Sequence, residues 1–221
     1  MADRFFINGG RALKGVVEIS GSKNAAGAIL AATLLTTEEC IIENIPKVLD
    51  VLNLLKILEK MGVEISWEGE SRVRIKAGAN TDPQKIEFDL VGKSRISVLL
   101  IGGLLARFRE FKISPPGGDR IGLRPIKTHL KSLEKLGVEI SYENNFYYFK
   151  TKNLRGSEIV LDEFSVTATE NLMMVAALTP GKTKILGAAA EPHVQNLGEM
   201  LQKMGAQISG LGTHSIFIEG V

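Results

Sequence analysis

The stretch LLKILEKMGVEISWEGESRVRIKAG at residues 54–78 decides the fold, because the chain contains it three times in varied form. The other copies are HLKSLEKLGVEISYENNFYYFKTKN at residues 129–153 and LGEMLQKMGAQISGLGTHSIFIEG at residues 197–220. Each copy begins with apolar residues at helical spacing, reaches a Met-Gly or Leu-Gly pair, and continues as two strand-like runs. An internal repeat of this kind indicates that one supersecondary unit is built three times and packed against itself.

Both ends of the repeated unit carry a helix signal. A glycine closes the helix of each copy, as is typical of a C-cap, and these residues are Gly62, Gly137 and Gly205. A second, small-residue helix precedes each copy and opens at a serine, a favoured N-cap, and these residues are Ser22, Ser94 and Ser165. The interval from serine to glycine is 40, 43 and 40 residues, which supports the alignment of the three units.

A short strand-like run lies between the two helices of each unit: CIIENIP, FKISPP and KILGAAAEP. The unit is therefore helix, strand, helix, strand, strand. The runs AAGAILAAT and VLLIGGLLA are apolar nearly all round, as buried helices are. We predict one inside-out α/β domain of three pseudo-symmetric repeats, at about residues 21–90, 91–160 and 161–221, with buried helices and outer sheets.

Residues 1–20, MADRFFINGGRALKGVVEIS, have no counterpart in the three repeats. Their alternation around a Gly-Gly pair predicts two short strands joined by a turn.

Composition excludes several classes of protein. The chain has 221 residues, 44% of them hydrophobic, which is enough for a substantial core. A net charge of +2 from 27 basic and 25 acidic residues is too mild for a nucleic-acid surface. The longest apolar runs are far shorter than the roughly 18 residues of a membrane span, and the first ten residues lack the order of a signal peptide. Cys40 is the only cysteine, so we expect a cytoplasmic protein without disulfides or a cysteine-rich metal site.

Four stretches resemble the enolpyruvyl transferase family. They are SGSKNAAGAIL at residues 20–30, PPGGDRIGLRPIKTHL at 115–130, DEFSVTATENLM at 162–173 and GTHSIFIEGV at 212–221. The resemblance spans the chain but only about the first half of a family enzyme, which has two similar domains and an active site in the cleft between them. It implies that residues 21–221 form the first catalytic domain and that the strands of residues 1–20 belong to the second.

The stretches PPGGDRIGLRP and GSKNAA favour the nucleotide-sugar branch of the family. Its reaction moves the enolpyruvyl group of phosphoenolpyruvate to the 3′-hydroxyl of UDP-N-acetylglucosamine and releases phosphate, as the first committed step of peptidoglycan synthesis. The resemblance implies no metal and no cofactor. Since both substrates are anionic and the addition step develops further charge, the site needs fixed cations and helix N-termini.

Lys23 and Asn24 follow the predicted Ser22 cap, where free N–H groups and the positive end of the helix favour a phosphate. The resemblance implies that both hold phosphoenolpyruvate and that Lys23 is catalytic. Arg95 has the same position in the second repeat, and the resemblance implies a contact with UDP-N-acetylglucosamine. The alternatives are a solvated Lys23, a merely capping Asn24 and an Arg95 that forms a surface ion pair.

The resemblance implies that two further stretches bind the nucleotide sugar. It implies that EFSV lies along the nucleotide with largely backbone contacts, through Glu163, Phe164, Ser165 and Val166. It also implies that RPIKT binds the uridine and phosphates through Arg124, Pro125, Ile126, Lys127 and Thr128, and that Arg124 contacts the reacting phosphate of phosphoenolpyruvate.

Gly117 and Gly118 give the loop ahead of RPIKT the conformational freedom that a lid needs. Asp119 stands where most family members carry a cysteine, and the resemblance implies that it donates a proton to C3 of the enolpyruvyl group. Burial must raise its pKa for that role, whereas Arg120 lowers it. Because a carboxylate forms no sulfur adduct, we predict insensitivity to fosfomycin. The alternative is an ordinary loop aspartate.

Other residues receive no role from the sequence. We predict that Cys40 is inert and that Met173 and Met174 are core, while His129 either orients the loop or is structural.

Three other functions remain open: the shikimate-pathway enolpyruvyl transferase, a non-catalytic half-domain that binds a UDP-sugar, and a repeat protein without a ligand. Because the family's base and further arginines come from the second domain, we expect residues 1–221 to need that domain and to show no turnover alone.

Overall fold

The computed structural model describes residues 4–118, 122 and 125–221. Within these ranges each repeat contains the predicted helix, strand, helix, strand, strand. The first comprises α1 (Lys23–Ala32), β1 (Glu39–Ile42), α2 (Leu49–Lys60), β2 (Glu64–Glu68) and β3 (Arg72–Lys76). A short helix, α3 (Phe88–Val91), leads to the second, which comprises α4 (Leu100–Arg107), β4 (Glu110–Ile113), α5 (Lys127–Lys135), β5 (Val138–Glu143) and β6 (Phe146–Thr151). After β7 (Glu158–Val160), the third comprises α6 (Val166–Ala177), β8 (Gly181–Leu186), α7 (Pro192–Lys203), β9 (Gln207–Ser209) and β10 (Ser215–Gly220).

The three sheets share one topology. Their strand orders are β1-β3-β2, β4-β6-β5 and β8-β10-β9, and every one of these pairs is antiparallel. The third sheet has one more strand, because β7 pairs in parallel with β8. The strand at residues 158–160 therefore extends the sheet of the third repeat, although the spacing of the repeats puts it at the end of the second.

The predicted glycine C-caps are confirmed. Gly62, Gly137 and Gly205 have φ values of 90°, 97° and 106°, the left-handed conformation that glycine adopts without a steric penalty. A Cβ at Gly62 would also lie 2.6 Å from the carbonyl oxygen of Asn80, so the chain needs glycine there for space as well.

The helices that open the repeats form the centre of the domain. Every residue of α6 from Ala168 to Ala177 is buried, and α1 and α4 are nearly as enclosed. Glycines let these helices approach closely: a Cβ at Gly103 of α4 would lie 2.5 Å from the carbonyl oxygen of Ala31 in α1. The sheets cover the helices from outside, each with a buried and a more exposed face. The inside-out arrangement predicted from the apolar runs is confirmed.

Residues 4–20 form neither helix nor strand, so the two strands predicted over residues 1–20 are wrong for this part of the chain. A lone strand leaves its backbone groups unpaired, and no sheet of the described residues pairs with this stretch. The apolar side chains of this stretch are exposed, and Phe5, Phe6 and Leu13 are each more than 90% exposed.

None of the helices in the described ranges has the length and apolar character needed to cross a membrane.

Candidate ligand-binding site

A cavity of about 610 Å³ lies where the opening helices of the three repeats begin. Its volume is within the range of roughly 300 to 1,000 Å³ that is usual for small-molecule sites. The cavity wall includes most of the site residues predicted from sequence: Lys23, Asn24, Arg95, Pro125, Glu163, Phe164, Ser165 and Val166. The structure thus brings together residues that are up to 143 positions apart in the chain.

Two of the three opening helices have the predicted serine cap. The side-chain oxygens of Ser22 and Ser165 each accept a hydrogen bond at 3.3 Å, from the backbone N–H groups of Ala25 and Ala168. Other N–H groups of the first turn have no partner within a helix, and the helix dipole is positive at that end. Both helix tips therefore favour a bound anion.

The second opening helix is different, because Ser94 does not cap it with its side chain. The Ser94 hydroxyl instead donates a hydrogen bond of 2.7 Å to one carboxylate oxygen of Asp50, in the first turn of α2. The other oxygen of Asp50 accepts from the Lys23 ammonium at 2.7 Å. Asp50 thus connects the tips of the first two opening helices and holds Lys23 at the cavity.

The charge state of Asp50 follows from these contacts. Burial raises the pKa of its carboxyl, but the hydrogen bonds from Lys23 and Ser94 and the positive charge of Lys23 outweigh burial, so the pKa lies below its ordinary value. Asp50 is therefore an anion at neutral pH and compensates part of the positive charge of Lys23.

The helix after Ser94 begins as a 3₁₀ turn at Arg95–Leu99 before it becomes α4, and a buried amide explains the change. In a continuous α-helix the Gly102 N–H would donate to the Val98 carbonyl. Asn171 of α6 stands between them: its amide oxygen accepts from Gly102 at 2.8 Å and its amide nitrogen donates to Val98 at 3.0 Å. Gly102 permits this approach, since a Cβ there would lie 2.7 Å from the Asn171 oxygen.

Arg95 is the first residue of this 3₁₀ turn and lines the cavity. Its guanidinium donates a hydrogen bond of 3.4 Å to the Pro125 carbonyl oxygen, which connects it to the segment ahead of α5. Burial, and after it the positive charge of Arg95, lowers the pKa of His129 to about 4. His129 is therefore neutral at pH 7, and its Nε2 lies 2.8 Å from the Thr167 hydroxyl.

The described residues of the RPIKT stretch differ in whether they line the cavity. Pro125 lines the cavity, whereas Ile126 is buried, Lys127 is exposed and neither lines it. Thr128 also lies outside the lining but donates a hydrogen bond of 2.8 Å to Glu163, which does line it. The predicted roles of Asp119 and Arg124 lie outside the described residues, as does Arg120.

Four ionisable residues of the cavity wall were not predicted from the sequence: Asp50, Lys93, Glu170 and His193. Glu170 lies in α6 and is only 1% exposed, and its Oε1 has no hydrogen-bond partner among the described residues. Burial, and after it the negative charge of Glu191, raises the pKa of Glu170 to about 8. Its carboxyl is therefore mainly protonated at pH 7.

The pKa of Glu170 gives a stability prediction for Glu170→Gln. Between the ordinary value of 4.5 and about 8 the folded chain keeps a proton that the unfolded chain has released. Stability therefore falls as pH rises through this interval, by up to about 1.4 kcal/mol per unit. Glutamine is neutral throughout, so we expect the difference in unfolding free energy, variant minus parent, to become more positive from about pH 5 to about pH 8. Urea unfolding at several pH values measures it, and a constant difference would contradict the raised pKa.

Met173, Met174 and Cys40 were predicted from the sequence to have no role in the site. Met173 and Met174 are fully buried, which confirms them as core. Cys40 is half-buried in β1, away from the cavity, and burial together with the charge of Glu39 raises the pKa of its thiol. A raised thiol pKa disfavours the reactive thiolate.

The fold is that of enolpyruvyl transferases. The enolpyruvyl transferase NikO from Streptomyces tendae aligns with a TM-score of 0.82 and 22% identity, covering 96% of this chain and 50% of that one. EPSP synthase from Acinetobacter baumannii aligns with a TM-score of 0.73 and 19% identity, covering 96% and 48%. At this level of identity the likeness establishes the fold.

The family follows from sequence comparison. The family model for EPSP synthase (3-phosphoshikimate 1-carboxyvinyltransferase) matches residues 7–221, so the chain belongs to this family of enolpyruvyl transferases. It is 44% identical over 218 residues to the UDP-N-acetylglucosamine 1-carboxyvinyltransferase of Sorangium cellulosum and 43% identical over 221 residues to that of Gluconacetobacter diazotrophicus. Each comparison covers 99% of this chain, but only 51% and 52% of the relatives. The chain therefore spans about half the length of the curated relatives that it matches.

Proposed function

We propose that this chain forms the N-terminal half of a UDP-N-acetylglucosamine 1-carboxyvinyltransferase. The observation that carries the proposal is the cavity in which the cations Lys23, Lys93 and Arg95 lie beside two serine-capped helix tips. Such a site suits ligands that carry phosphate groups. The name shared by relatives at 43–44% identity, against 19–20% for the EPSP synthase structures, supports the nucleotide-sugar branch over the shikimate branch.

In the proposed reaction the 3′-hydroxyl of UDP-N-acetylglucosamine loses its proton to a base and its oxygen adds to C2 of phosphoenolpyruvate, while C3 takes up a proton from an acid. The tetrahedral adduct then loses phosphate as the C2–O bond to the phosphate group breaks, and a proton leaves C3. Positive groups fixed before the reaction stabilise the charge of the adduct without reorganisation. The proposed reaction requires no metal and no cofactor, and it would place the protein in peptidoglycan synthesis in the cytoplasm.

The roles proposed for the residues follow their places around the cavity. Lys23 and Asn24, at the tip of α1, are proposed to hold phosphoenolpyruvate and the adduct. Arg95 and residues 163–166 are proposed to bind UDP-N-acetylglucosamine, together with residues 124–128. Asp119 is proposed to donate the proton to C3, and insensitivity to fosfomycin stays a prediction of that assignment.

A second domain is proposed to complete the site. We assign residues 21–221 to the first catalytic domain and residues 1–20 to the second. The exposed apolar side chains of residues 4–20 support this assignment, since they suit a segment that another domain covers. In the proposal the second domain supplies the base for the 3′-hydroxyl and further arginines, so the 221-residue chain binds the nucleotide sugar weakly and has no turnover.

Two assays on the 221-residue chain test this proposal. Isothermal titration is expected to show binding of UDP-N-acetylglucosamine and no binding of shikimate 3-phosphate. A phosphate-release assay with phosphoenolpyruvate and UDP-N-acetylglucosamine is expected to give no steady-state rate. Preference for shikimate 3-phosphate would assign the chain to the other branch, and a steady phosphate release would disprove the need for a second domain.

A further inference from the structure

Buried polar atoms without a hydrogen bond are concentrated at the cavity. Six such side-chain atoms occur among the described residues, and three belong to residues of the cavity wall: His129 Nδ1, Glu170 Oε1 and His193 Nε2. Nearly all buried polar groups in folded proteins are paired, so each exception needs an explanation. Three exceptions around one cavity are explained together if a ligand supplies the missing partners.

Glu170 is the most enclosed of these three residues and the one whose isolation is hardest to explain by the fold. It is 1% exposed, against 3% for His129, and the Nε2 atom of His129 already bonds the Thr167 hydroxyl. No side-chain hydrogen bond of Glu170 is formed within the described residues, although the side chains of its neighbours Thr169 and Asn171 each form two hydrogen bonds to the backbone. Its carboxyl is thus a buried polar group at the cavity wall, and its Oε1 has no partner among the described residues.

The charge state of this wall selects the kind of ligand group. Glu170 is mainly protonated and His129 is neutral at pH 7, because their pKa values are about 8 and about 4. Neither side chain carries a positive charge that would compensate a bound phosphate. The cations Lys23, Lys93 and Arg95 of the same cavity are better suited to bind the phosphate. A protonated carboxyl donates one hydrogen bond and accepts another, so its natural partner is an uncharged hydroxyl or amide.

We propose that Glu170 is a specificity-determining residue that binds an uncharged hydroxyl or amide group of the ligand, beside the cationic part of the cavity that binds phosphate. The proposal rests on the proposed function for the identity of the ligand, in which either the sugar or the uracil ring carries such groups. Glu170 thereby distinguishes a hydroxylated or amide-bearing ligand from a bare phosphate.

Isothermal titration of Glu170→Met and Glu170→Gln with UDP-N-acetylglucosamine, UDP and inorganic pyrophosphate tests the proposal. Methionine keeps the size but removes the hydrogen bond, so it is expected to weaken UDP-N-acetylglucosamine binding about 10-fold. Glutamine both donates and accepts, so it is expected to stay within about 3-fold of the parent. Pyrophosphate affinity is expected to be the same in all three proteins.

The UDP titration shows which part of the ligand is bound. A loss for UDP-N-acetylglucosamine alone assigns the contact to the sugar, and an equal loss for UDP assigns it to the uridine. Thr183→Val is the matched control, because Thr183 also has a buried, unpartnered hydroxyl but lies on β8 outside the cavity. It is expected to bind all three ligands as the parent does.

Unchanged UDP-N-acetylglucosamine affinity in Glu170→Met would overturn the proposal. An equal loss for pyrophosphate would do the same, since it would mean a general disturbance of the cavity. If Glu170→Met does not fold, Glu170→Leu and the Gln variant are measured in its place, with leucine expected to lose affinity and glutamine to keep it. A parent that binds shikimate 3-phosphate instead would refute the proposed function, and the same variants titrated with that hydroxylated ligand would still decide the role of Glu170. Binding of neither ligand would refute both.

Discussion

Replacing Asn171 with leucine is expected to lower the free energy of unfolding by about 3 to 5 kcal/mol. Leucine removes both hydrogen bonds of a fully buried side chain and leaves the Gly102 N–H and the Val98 carbonyl without their partner. Each unsatisfied buried group costs about 1 to 3 kcal/mol. The branched leucine side chain also has to fit into the space beside Gly102 that the Asn171 amide occupies. Urea unfolding followed by circular dichroism measures the loss.

Asn196→Leu is the control for this prediction, because Asn196 is exposed on the neighbouring helix α7. It is expected to change the unfolding free energy by no more than about 0.5 kcal/mol. A loss below about 1 kcal/mol in Asn171→Leu would mean that the helix repairs itself by forming the bond from Gly102 to Val98. The account of the 3₁₀ turn, and of the position of Arg95 that depends on it, would then be wrong.

Replacing Arg95 with methionine is expected to weaken UDP-N-acetylglucosamine binding by about 10- to 100-fold. This loss of affinity corresponds to the removal of a hydrogen bond to a charged group, which contributes about 1.5 to 3 kcal/mol. Arg95→Lys keeps the charge but not the planar fork that fits phosphate, so an intermediate loss is expected. Isothermal titration of the 221-residue chain at constant ionic strength measures both variants.

The control for Arg95 is Arg155→Met, since Arg155 is exposed and outside the cavity wall. It changes the net charge of the chain by the same amount and is expected to leave the affinity within about 2-fold of the parent. Equal losses in the two variants would show that the overall charge, rather than a fixed contact, governs binding.

Much of the fold could be predicted from the sequence because the decisive signals are local and occur three times. Helical spacing, the glycines after each second helix and the apolar opening helices each depend on a few neighbouring residues. Local sequence signals were not sufficient to predict whether the two N-terminal strands form. Their pattern fits strands, but a strand forms only where it pairs with another strand, and no strand of the described residues pairs with this stretch.

The residues of the candidate site could be predicted where their positions are set by the start of a helix. Lys23 and Arg95 come directly after the serines that begin their helices, so their meeting at one cavity follows from the repeat. Asp50 was missed because its partner Ser94 is 44 residues away and only packing brings them together. Glu170 was missed because an acidic residue in the second turn of a helix is ordinarily solvated, whereas this one is only 1% exposed.

A crystal structure of the 221-residue chain with UDP-N-acetylglucosamine tests the central claim most directly. We predict that the diphosphate lies within hydrogen-bonding distance of the Arg95 guanidinium, in the cavity between the tips of α1 and α6. A nucleotide bound on the outer sheets or elsewhere, with this cavity filled only by water, would contradict it.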